Sequence, residues 1–397
     1  MAPQTGQTTT EKYLPFQLAR VRLSSVFGPQ VEPLVVTGSA QEEVNSVCVW
    51  QYNRYPNYAA NFANIEVDND LPSPLNDSAD EPRLVCSAVH AGDVQQLRSH
   101  VGSRLVFTGS SMGFLGIYRL ALPGTEHDAF QLHEVATWSR GPADPADELI
   151  RIDVPISDVC VSTDAAQIYA ANDLGQLFVL DTEMLAVKQQ LMLTASGSDL
   201  STINAIESID ASCIATANQI GQLNVWDLRS PDSTNLSQKR IVPRGEPRPL
   251  TCLSQHPGQS HLLAVGGMNS GHGGGHKHAT TTSYIWDLRA ERHPLSEIVC
   301  RGSVVWEIGF HPHQPQFLYL ATEEAGLMRI KSASSAESWS FLQSCQQKLS
   351  ATCVTSNPAD YCSVTTFDMA SGFVVCGRDN CALQTIKDTS VSTFSCE

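Results

Sequence analysis

Short apolar stretches alternate with polar turns along most of the chain. The recurring unit is an apolar strand, a turn, a strand ending in small residues, a glycine-containing turn, and a strand ending in an aromatic residue or Asp. Such alternation suits pleated, half-buried sheets, and no segment of moderate length has convincing 3.6-residue periodicity. The pattern therefore predicts an all-β protein. Seven units are recognisable, at residues 33–52, 104–120, 167–183, 212–230, 261–290, 317–334 and 373–388.

The string Trp-Asp-Leu-Arg closes two of these units, at residues 226–229 and 286–289. A Trp-Asp pair at the end of a short strand is typical of a WD40 β-propeller blade, in which the Trp fills the layer between sheets. Gly175 and Gly221 lie in equivalent turns, where glycine can take a positive φ. They are 46 positions apart, close to the ~40–45 residues of such a blade. We predict a seven-bladed WD40 β-propeller with the two strings in blades four and five.

Closing the ring requires one further strand. Residues 13–26 are strand-like and precede the first unit. We interpret them as the outer strand of the last blade, which the C-terminal run 363–387 completes, because this arrangement removes exposed sheet edges. The alternative is that residues 13–26 begin blade one.

The predicted organisation is one propeller over residues 13–390, between a disordered N-terminus at 1–12 and a C-terminal tail at 391–397. Polar segments rich in Pro or Gly interrupt it and are expected to be surface loops. They are residues 53–83, 139–155 and 269–282.

Part of a WD40 hydrogen-bond network is predicted from single residues. Trp226, Asp227, Trp286 and Asp287 occupy the Trp-Asp positions. His90 and Asp93 resemble the turn ahead of a blade's second strand, and Asp158 occupies the similar place one blade later. In WD40 families this Asp, with His, is linked to the strand-ending Trp by buried hydrogen bonds. Other blades carry Thr202, Leu250 or Val305 near this position, so we expect blade stability to depend mostly on apolar packing.

Charge and cysteine usage limit the partners and the compartment. The formal net charge is −16, with 41 acidic and 25 basic residues among 397. This balance argues against nucleic acid or an anionic membrane as a direct partner, since both are polyanions. The 12 cysteines form no Cys-x-x-Cys pair, so we expect buried, reduced thiols. With no signal peptide and no run of about 18 apolar residues, the protein is predicted to be nucleo-cytoplasmic.

Motifs for chemistry are weak. His272, His276 and His278 could bind Zn, Ni or Cu, but they lie in a glycine-rich loop, and a solvated loop is the favoured interpretation. The glycines 273–275 lack the Lys-Ser/Thr that a P-loop requires. No nucleophile and base stand at a recognisable spacing. We therefore expect no enzyme activity, no cofactor, no metal and no small-molecule substrate.

Several stretches beyond the Trp-Asp pattern resemble the nucleoporin forty-three family, the small WD-repeat nucleoporins of the Y-shaped outer-ring complex. They include IGQLNVWDLR, PLTCLSQHPGQSHLLAVGG, VVWEIGFHPHQPQFL and the C-terminal FDMASGFVVCGRDNCAL. The resemblance covers most of the chain and is strongest from 214 to 320. It departs in the Gly/His loop and at 323–330, where no Trp-Asp closes the strand.

The resemblance implies a structural role at the nuclear pore, attached to an α-solenoid nucleoporin of a short arm of the Y, with an indirect part in protein and mRNA transport. It also implies a kinetochore role in mitosis. A different function stays open, because the paired strings resemble the WDxR motif of receptors that dock on the adaptor of cullin–RING ubiquitin ligases. In that case Arg229 and Arg289 would contact the adaptor.

Overall fold

The computed structural model of the chain is an all-β structure. The described residues are 7–24, 34–52, 81–100, 102–123, 129–139, 154–192, 201–229, 239–241, 248–269, 280–290, 293–302, 304–332, 350–353, 363–370 and 373–388. They contain 28 strands and no helix, and accordingly no helix in this part of the chain is long and apolar enough to span a membrane.

The strands form seven antiparallel sheets of four strands each. In chain order the first half are β1 (Gln7–Tyr13), β2 (Leu18–Ser24), β3 (Leu34–Ser39), β4 (Asn45–Tyr52), β5 (Pro82–His90), β6 (Val94–His100), β7 (Leu105–Ser110), β8 (Phe114–Ala121), β9 (Gln131–Ser139), β10 (Ile156–Val161), β11 (Gln167–Asn172), β12 (Gln176–Asp181), β13 (Val187–Met192) and β14 (Ile203–Ser208). The second half are β15 (Cys213–Asn218), β16 (Leu223–Asp227), β17 (Lys239–Ile241), β18 (Leu250–Gln255), β19 (Leu262–Gly267), β20 (Thr280–Asp287), β21 (Ser296–Arg301), β22 (Val305–Phe310), β23 (Phe317–Thr322), β24 (Gly326–Lys331), β25 (Ser350–Cys353), β26 (Val364–Ala370), β27 (Phe373–Arg378) and β28 (Ala382–Asp388).

Each sheet is one blade, and the first strand of each blade contacts the first strands of its two neighbours. These inner strands are β2, β6, β10, β14, β18, β22 and β26, and the circle they form includes a contact between β2 and β26. The predicted seven-bladed β-propeller is therefore confirmed. Blades four and five, β14–β17 and β18–β21, contain the two Trp-Asp-Leu-Arg strings as expected.

An N-terminal strand closes the ring, but it is not the predicted one. β1 pairs antiparallel with β28 as the outer strand of blade seven, with Tyr13 opposite Ala382. The assignment of residues 13–26 to this place was wrong, because Leu18–Ser24 is the inner strand of blade one. Residues 7–12, expected to be disordered, belong to the closing strand, so the propeller begins before residue 13.

Strands extend into the ends of the three predicted loops, so the loops are shorter than the sequence predicted. Pro82 and Arg83 already belong to β5, Ser139 ends β9, and residues 280–282 open β20. Residues 53–80, 140–153 and 270–279 of the three loops, and the termini 1–6 and 389–397, lie outside the described residues.

One hydrogen bond recurs in all seven blades and defines one face of the ring. The first turn residue after the second strand donates its N–H to the carbonyl just before the inner strand, as Ala40 does to Gln17 at 3.0 Å. The blade-to-blade connections and the turns between second and third strands therefore share one face, which we call the turn face. The other six bonds are Ser111 to Asp93, Asp173 to Pro155, Gln219 to Thr202, Met268 to Pro249, Glu323 to Val304 and Asp379 to Ser363.

A second recurring bond marks the opposite face. Near the end of a third strand, an N–H donates to a carbonyl in the turn between the first and second strands, as Leu228 does to Ser212 at 2.7 Å and Leu288 to His261 at 2.8 Å. We call this the WD face, because both Trp-Asp-Leu-Arg strings end on it.

Apolar side chains fill the space between neighbouring sheets. Tyr169 and Leu177 of blade three pack with Ile206 and Trp226 of blade four in one buried cluster. Each blade thus contributes one side of two cores, one shared with each neighbouring blade. Burial of apolar surface in these cores stabilises the ring. The other clusters likewise contain branched and aromatic apolar side chains.

Two turn glycines are required for two independent reasons. Gly175 and Gly221 have φ values of +73° and +83°, as the sequence predicted. In addition, a Cβ atom on either would lie 2.5 Å from a carbonyl oxygen, of Ser201 and Arg248 respectively. Each of these residues belongs to the connection that enters the next blade. The bare glycine backbone therefore lets neighbouring blades meet on the turn face.

Candidate functional site: two faces and the channel

The tryptophans of the two Trp-Asp strings are buried between sheets. Trp226 is 3% exposed, and its Nε1–H donates to Thr216 Oγ1 at 2.9 Å. Trp286 is 1% exposed, but its Nε1 has no hydrogen-bond partner among the described residues. The reason is the second strand of blade five, where Val265 stands at the register position that Thr216 has in blade four.

The same indole-to-hydroxyl bond exists in blade one, where sequence reasoning missed it. Trp50 Nε1–H donates to Thr37 Oγ1 at 2.9 Å, and both side chains are buried. Trp50 ends the apolar part of β4 but is followed by Gln51 instead of Asp. Without an Asp after it, Trp50 does not form the Trp-Asp pair by which such a blade tryptophan is recognised in the sequence. A Trp at this strand position, with Thr in the facing strand, is the signal that would have found it.

Asp227 and Asp287 each hold the arginine two residues later. Arg229 donates from Nε and Nη2 to both carboxylate oxygens of Asp227, and Arg289 does the same with Asp287. The Arg289 bond holds the pKa of the Asp287 carboxyl below its usual range. The arginine side chains are 74% and 63% exposed, although the aspartates are largely buried. Two matching Asp–Arg pairs thus stand on neighbouring blades of the WD face.

His90 ends β5, and Asp93 lies in the connection that follows it from blade one to blade two, on the turn face. His90 bonds through Nδ1 to the Gly92 carbonyl at 2.9 Å and through Nε2 to Thr108 Oγ1 at 3.1 Å. Its ring lies 6.4 Å from that of Tyr118, which occupies the place of the blade tryptophan. Burial lowers the pKa of His90, so the imidazole is neutral near pH 7.

Asp93 connects blade two to blade one. Its Oδ1 accepts the Gln41 N–H at 2.8 Å and the Asn45 side-chain amide at 3.0 Å. Both donors belong to the blade-one turn and the strand that follows it, so the carboxylate fixes the turn face at this interface.

Asp158 does not occupy the position equivalent to Asp93, contrary to the sequence prediction. It lies within β10, the inner strand of blade three, and is 1% exposed. Its Oδ2 accepts the Ile206 N–H of blade four at 2.6 Å, and its Oδ1 accepts the side-chain amide of Gln96 from blade two. Asp158 is therefore part of the channel wall and connects three blades.

The inner strands carry a polar network that the sequence did not reveal. From blade three onward, a side-chain oxygen of each inner strand accepts an N–H from the inner strand of the next blade. Such bonds satisfy inward-facing N–H groups that no fifth strand can reach. The bonds after Asp158 are Gln255 N–H to Glu207 at 3.1 Å, Phe310 N–H to Ser254 at 3.3 Å, Phe367 N–H to Glu307 at 2.8 Å and Leu23 N–H to Asp368 at 2.8 Å.

Arg22 joins the two ends of this series. Its guanidinium forms a short ion pair with Glu307 of blade six and donates to Gln96 of blade two at 3.1 Å and to Thr366 of blade seven at 3.2 Å. Burial alone would raise the pKa of Glu307, but the charges of Arg22 and Arg20 outweigh it and the pKa is lowered. In the sequence, Arg20 and Arg22 stand two positions apart among apolar residues of β2, and this pattern could have indicated a buried polar network.

Eight cysteines are free thiols, at positions 48, 86, 160, 213, 252, 300, 376 and 381. Burial raises the pKa of Cys160 and of Cys252 to about 12, so both stay protonated at neutral pH and are poor nucleophiles. Among the described residues no group of three His, Cys, Asp or Glu side chains could hold a metal ion. The histidines 272, 276 and 278 lie outside that part of the chain.

No family model matches the chain. It is 25% identical over 298 residues to Nucleoporin Nup43 of Mus musculus, a match that spans 75% of this chain and 68% of the mouse protein. It is 24% identical over 298 residues to Nucleoporin Nup43 of Homo sapiens, with the same coverage. The similarity to nucleoporin forty-three expected from the sequence is thus confirmed. The chain is thus a seven-bladed β-propeller that is similar in sequence to Nup43 over three quarters of its length.

Proposed function

We propose that the protein is a non-catalytic scaffold subunit of the nuclear pore complex, in the Y-shaped complex of the outer ring. The observation that carries this proposal is the match to Nup43 over 298 residues. The proposed role is to present rigid surfaces to other nucleoporins, among them an α-solenoid subunit of the short arm of the Y, in support of protein and mRNA transport. A part in kinetochores stays a prediction.

The hydrogen bonding of the ring supports a scaffold role. Every interface between blades has an inner-strand contact through a side chain, and Arg22 alone contacts blades two, six and seven. Contacts of this kind at the centre of the ring restrict movement of the blades relative to one another, so the surfaces that bind partners keep a fixed geometry. The raised thiol pKa values and the neutral, hydrogen-bonded His90 indicate structural residues instead of reactive ones.

Localisation and copurification test this proposal. A fluorescently tagged chain is expected to form a rim at the nuclear envelope and to copurify with outer-ring nucleoporins at fixed stoichiometry. Diffuse fluorescence, together with the absence of those nucleoporins from the purified material, would refute the scaffold role.

A second candidate function is a substrate receptor of a cullin–RING ubiquitin ligase. The observation in its favour is that Arg229 and Arg289 are both exposed and stand on neighbouring blades of one face. Each guanidinium is already held by its own aspartate, so an adaptor would have to bind the remaining N–H groups.

The double variant R229A/R289A distinguishes the candidates. If the protein is a receptor, this variant loses capture of the ligase adaptor while its circular dichroism spectrum is unchanged. If the wild-type protein captures no adaptor, or the variant captures it equally well, the receptor function is excluded.

A further inference from the structure

Each inner strand has a one-residue bulge at its second position, close to the turn face. The bulge residue stands between two residues that pair with the second strand, as Ser157 does between Ile156 and Asp158. These residues form a ring around the turn-face end of the channel. They are Ala19, Gln95, Ser157, Asn204, Thr251, Trp306 and Thr365.

Hydrogen bonds connect this ring over one half only. In blades three, four and five the bulge side chain donates to the carbonyl of the residue that begins the next inner strand. The bonds are Ser157 to Ile203, Asn204 to Leu250 at 2.8 Å, and Thr251 to Val305. Among the described residues, the bulge side chains of blades six, seven, one and two make no such bond. Blades one and two therefore meet in the open half of the ring.

The interface between blades one and two also differs in the polar network of the channel. At five other interfaces a side-chain oxygen of one inner strand accepts an N–H of the next, as Asp158 does from Ile206 at 2.6 Å. Blade one has Arg20 and Arg22 at the corresponding positions of its inner strand. A guanidinium has five N–H donors and no acceptor. Donors thus stand where the other interfaces have an acceptor.

Arg20 is the least compensated arginine of the channel. Arg22 binds Glu307 and Gln96, whereas Arg20 is half-buried and donates only from Nη1 to the carbonyl of its own neighbour Ala19, at 3.0 Å. No carboxylate in the described part of the chain lies within 4.0 Å of Arg20. Most of its N–H groups thus have no acceptor there.

The surrounding charges do not offset the burial of Arg20. Burial lowers its pKa, and the positive charges of Arg22 and Arg98 add to this effect. Glu307 and Asp158 attract the guanidinium, but its pKa stays below the usual value. Since these charges belong to blades one, two, three and six, the guanidinium faces the channel. A desolvated charge without a partner is unfavourable, so an added anion would stabilise Arg20.

Blade two brings further N–H donors to the same part of the channel. Arg98 donates from Nε to the Val159 carbonyl at 2.9 Å, and its Nη2 lies 3.7 Å from Asp158. Its side chain is 29% exposed. The bulge residue Gln95 is half-buried, and its side-chain amide has no hydrogen bond to any described residue. Guanidinium and amide N–H groups together are the donors that proteins use for phosphate and carboxylate.

The carboxylates of the channel are engaged by other donors. Glu307 binds Arg22, and each of the four also accepts a backbone N–H from a neighbouring blade. They limit the charge that the channel can accept, and so favour a compact anion of one or two charges over a polyphosphate. These carboxylates are Asp158, Glu207, Glu307 and Asp368.

We propose that the channel binds a compact oxyanion, the phosphate or carboxylate group of a small molecule, between the inner strands of blades one and two. Arg20 is its principal contact, and the Gln95 amide and the remaining N–H groups of Arg98 complete the site. The oxygens of the anion take the place that Asp158 and Asp368 have at other interfaces. The anion is a structural ligand that joins two blades, not a substrate. The inference goes beyond the proposed scaffold function and does not depend on it.

Thermal unfolding of the purified full-length protein tests the site. Sodium phosphate and sodium malonate are titrated at an ionic strength held constant with sodium chloride. A ligand that binds only the folded state raises the melting temperature in a concentration-dependent way. R20Q removes the principal contact. R83Q is the matched control, because Arg83 is exposed in β5 and each variant loses one positive charge.

We expect both anions to stabilise wild type, with a dissociation constant about tenfold larger in R20Q and within about twofold of wild type in R83Q. The anion that binds more tightly identifies the group as phosphate or carboxylate. Without added anion R20Q should be at least as stable as wild type, because Arg22 and Arg98 repel the cation that it removes. If chloride stabilises wild type equally, or R20Q retains the full response, the inference is wrong.

Chemical modification of wild type gives a second measurement that needs no variant. Phenylglyoxal reacts with accessible guanidinium groups, and mass spectrometry of peptides gives the rates at Arg20 and Arg83. Phosphate or malonate should slow the reaction of Arg20 severalfold and leave that of Arg83 unchanged. An unchanged rate at Arg20 would contradict the site even if R20Q does not fold.

Discussion

The unequal hydrogen bonding of Trp226 and Trp286 allows a test in both directions. In blade four the indole N–H is paired with the Thr216 hydroxyl at 2.9 Å, whereas in blade five Val265 leaves the Trp286 N–H without a partner among the described residues. Val and Thr are similar in shape. The substitutions T216V and V265T therefore exchange the two situations with little change in packed volume.

The magnitudes follow from the burial of both sites. Thr216 and Trp226 are 0% and 3% exposed, so T216V leaves an unpaired N–H in an apolar layer. An unsatisfied buried donor costs about 1–3 kcal/mol of unfolding free energy. V265T buries a new hydroxyl, which is unfavourable alone, but here it meets an N–H that already lacks an acceptor. We expect V265T to stabilise the protein by about 0.5–1.5 kcal/mol.

Urea unfolding followed by circular dichroism measures both changes as shifts of the midpoint. The control is V265T in a W286F background, where the new hydroxyl has no indole to meet and should destabilise by about 1–3 kcal/mol. The difference between the two backgrounds isolates the new hydrogen bond. If V265T is equally destabilising with Trp286 and with Phe at that position, the register argument is wrong.

Three further predictions concern the channel, the blade contacts and pH. E307A removes the ion-pair partner of buried Arg22 and should lower the unfolding free energy, measured with urea, by about 3–5 kcal/mol. E307D keeps a carboxylate and should recover part of this loss. A loss below about 1 kcal/mol in E307A would contradict the view that Arg22 depends on this ion pair. G175A would place a Cβ at a positive φ and 2.5 Å from the Ser201 carbonyl oxygen, so it should lower the unfolding free energy by more than about 1 kcal/mol. Gly102 also has a positive φ, but a Cβ there would meet nothing within 4 Å, so G102A should cost less and separates backbone strain from crowding. Because burial lowers the pKa of folded His90 below 6.5, its stabilising contribution is complete above pH 6.5 and is lost as the pH falls through the lowered pKa of the folded state. The fall in unfolding free energy between pH 7 and 5 should therefore be smaller in H90N, and an equal slope would contradict the assignment.

The number of blades could be predicted from the sequence, because each blade repeats the same local chemistry. Apolar alternation and small second-strand residues depend on neighbours a few positions apart. Trp226 and Trp286 could likewise be placed in blades four and five, since their strands carry the whole Trp-Asp signature. Trp50 was missed because its blade has lost the Asp that makes the pattern visible.

The closing strand was beyond sequence reasoning for a physical reason. Gln7–Tyr13 is polar and Thr-rich, since an outer strand buries little of its surface, and it pairs with residues more than 360 positions away. The more apolar segment at 18–24 was chosen in its place, although its burial comes from serving as the inner strand of blade one. Hydrophobicity identified a strand there but not which edge of a sheet it occupies.

The sequence by itself determined the all-β class, the repeat and the likeness to Nup43, because these depend on local patterns and on shared residues. Only the tertiary structure decided what the charged residues do. Asp158 was a turn residue by pattern and is a channel residue in the ring, and Arg22 and Glu307 meet across 285 positions. Charges act through space, so the polar network of the channel wall exists only once the seven inner strands share one axis.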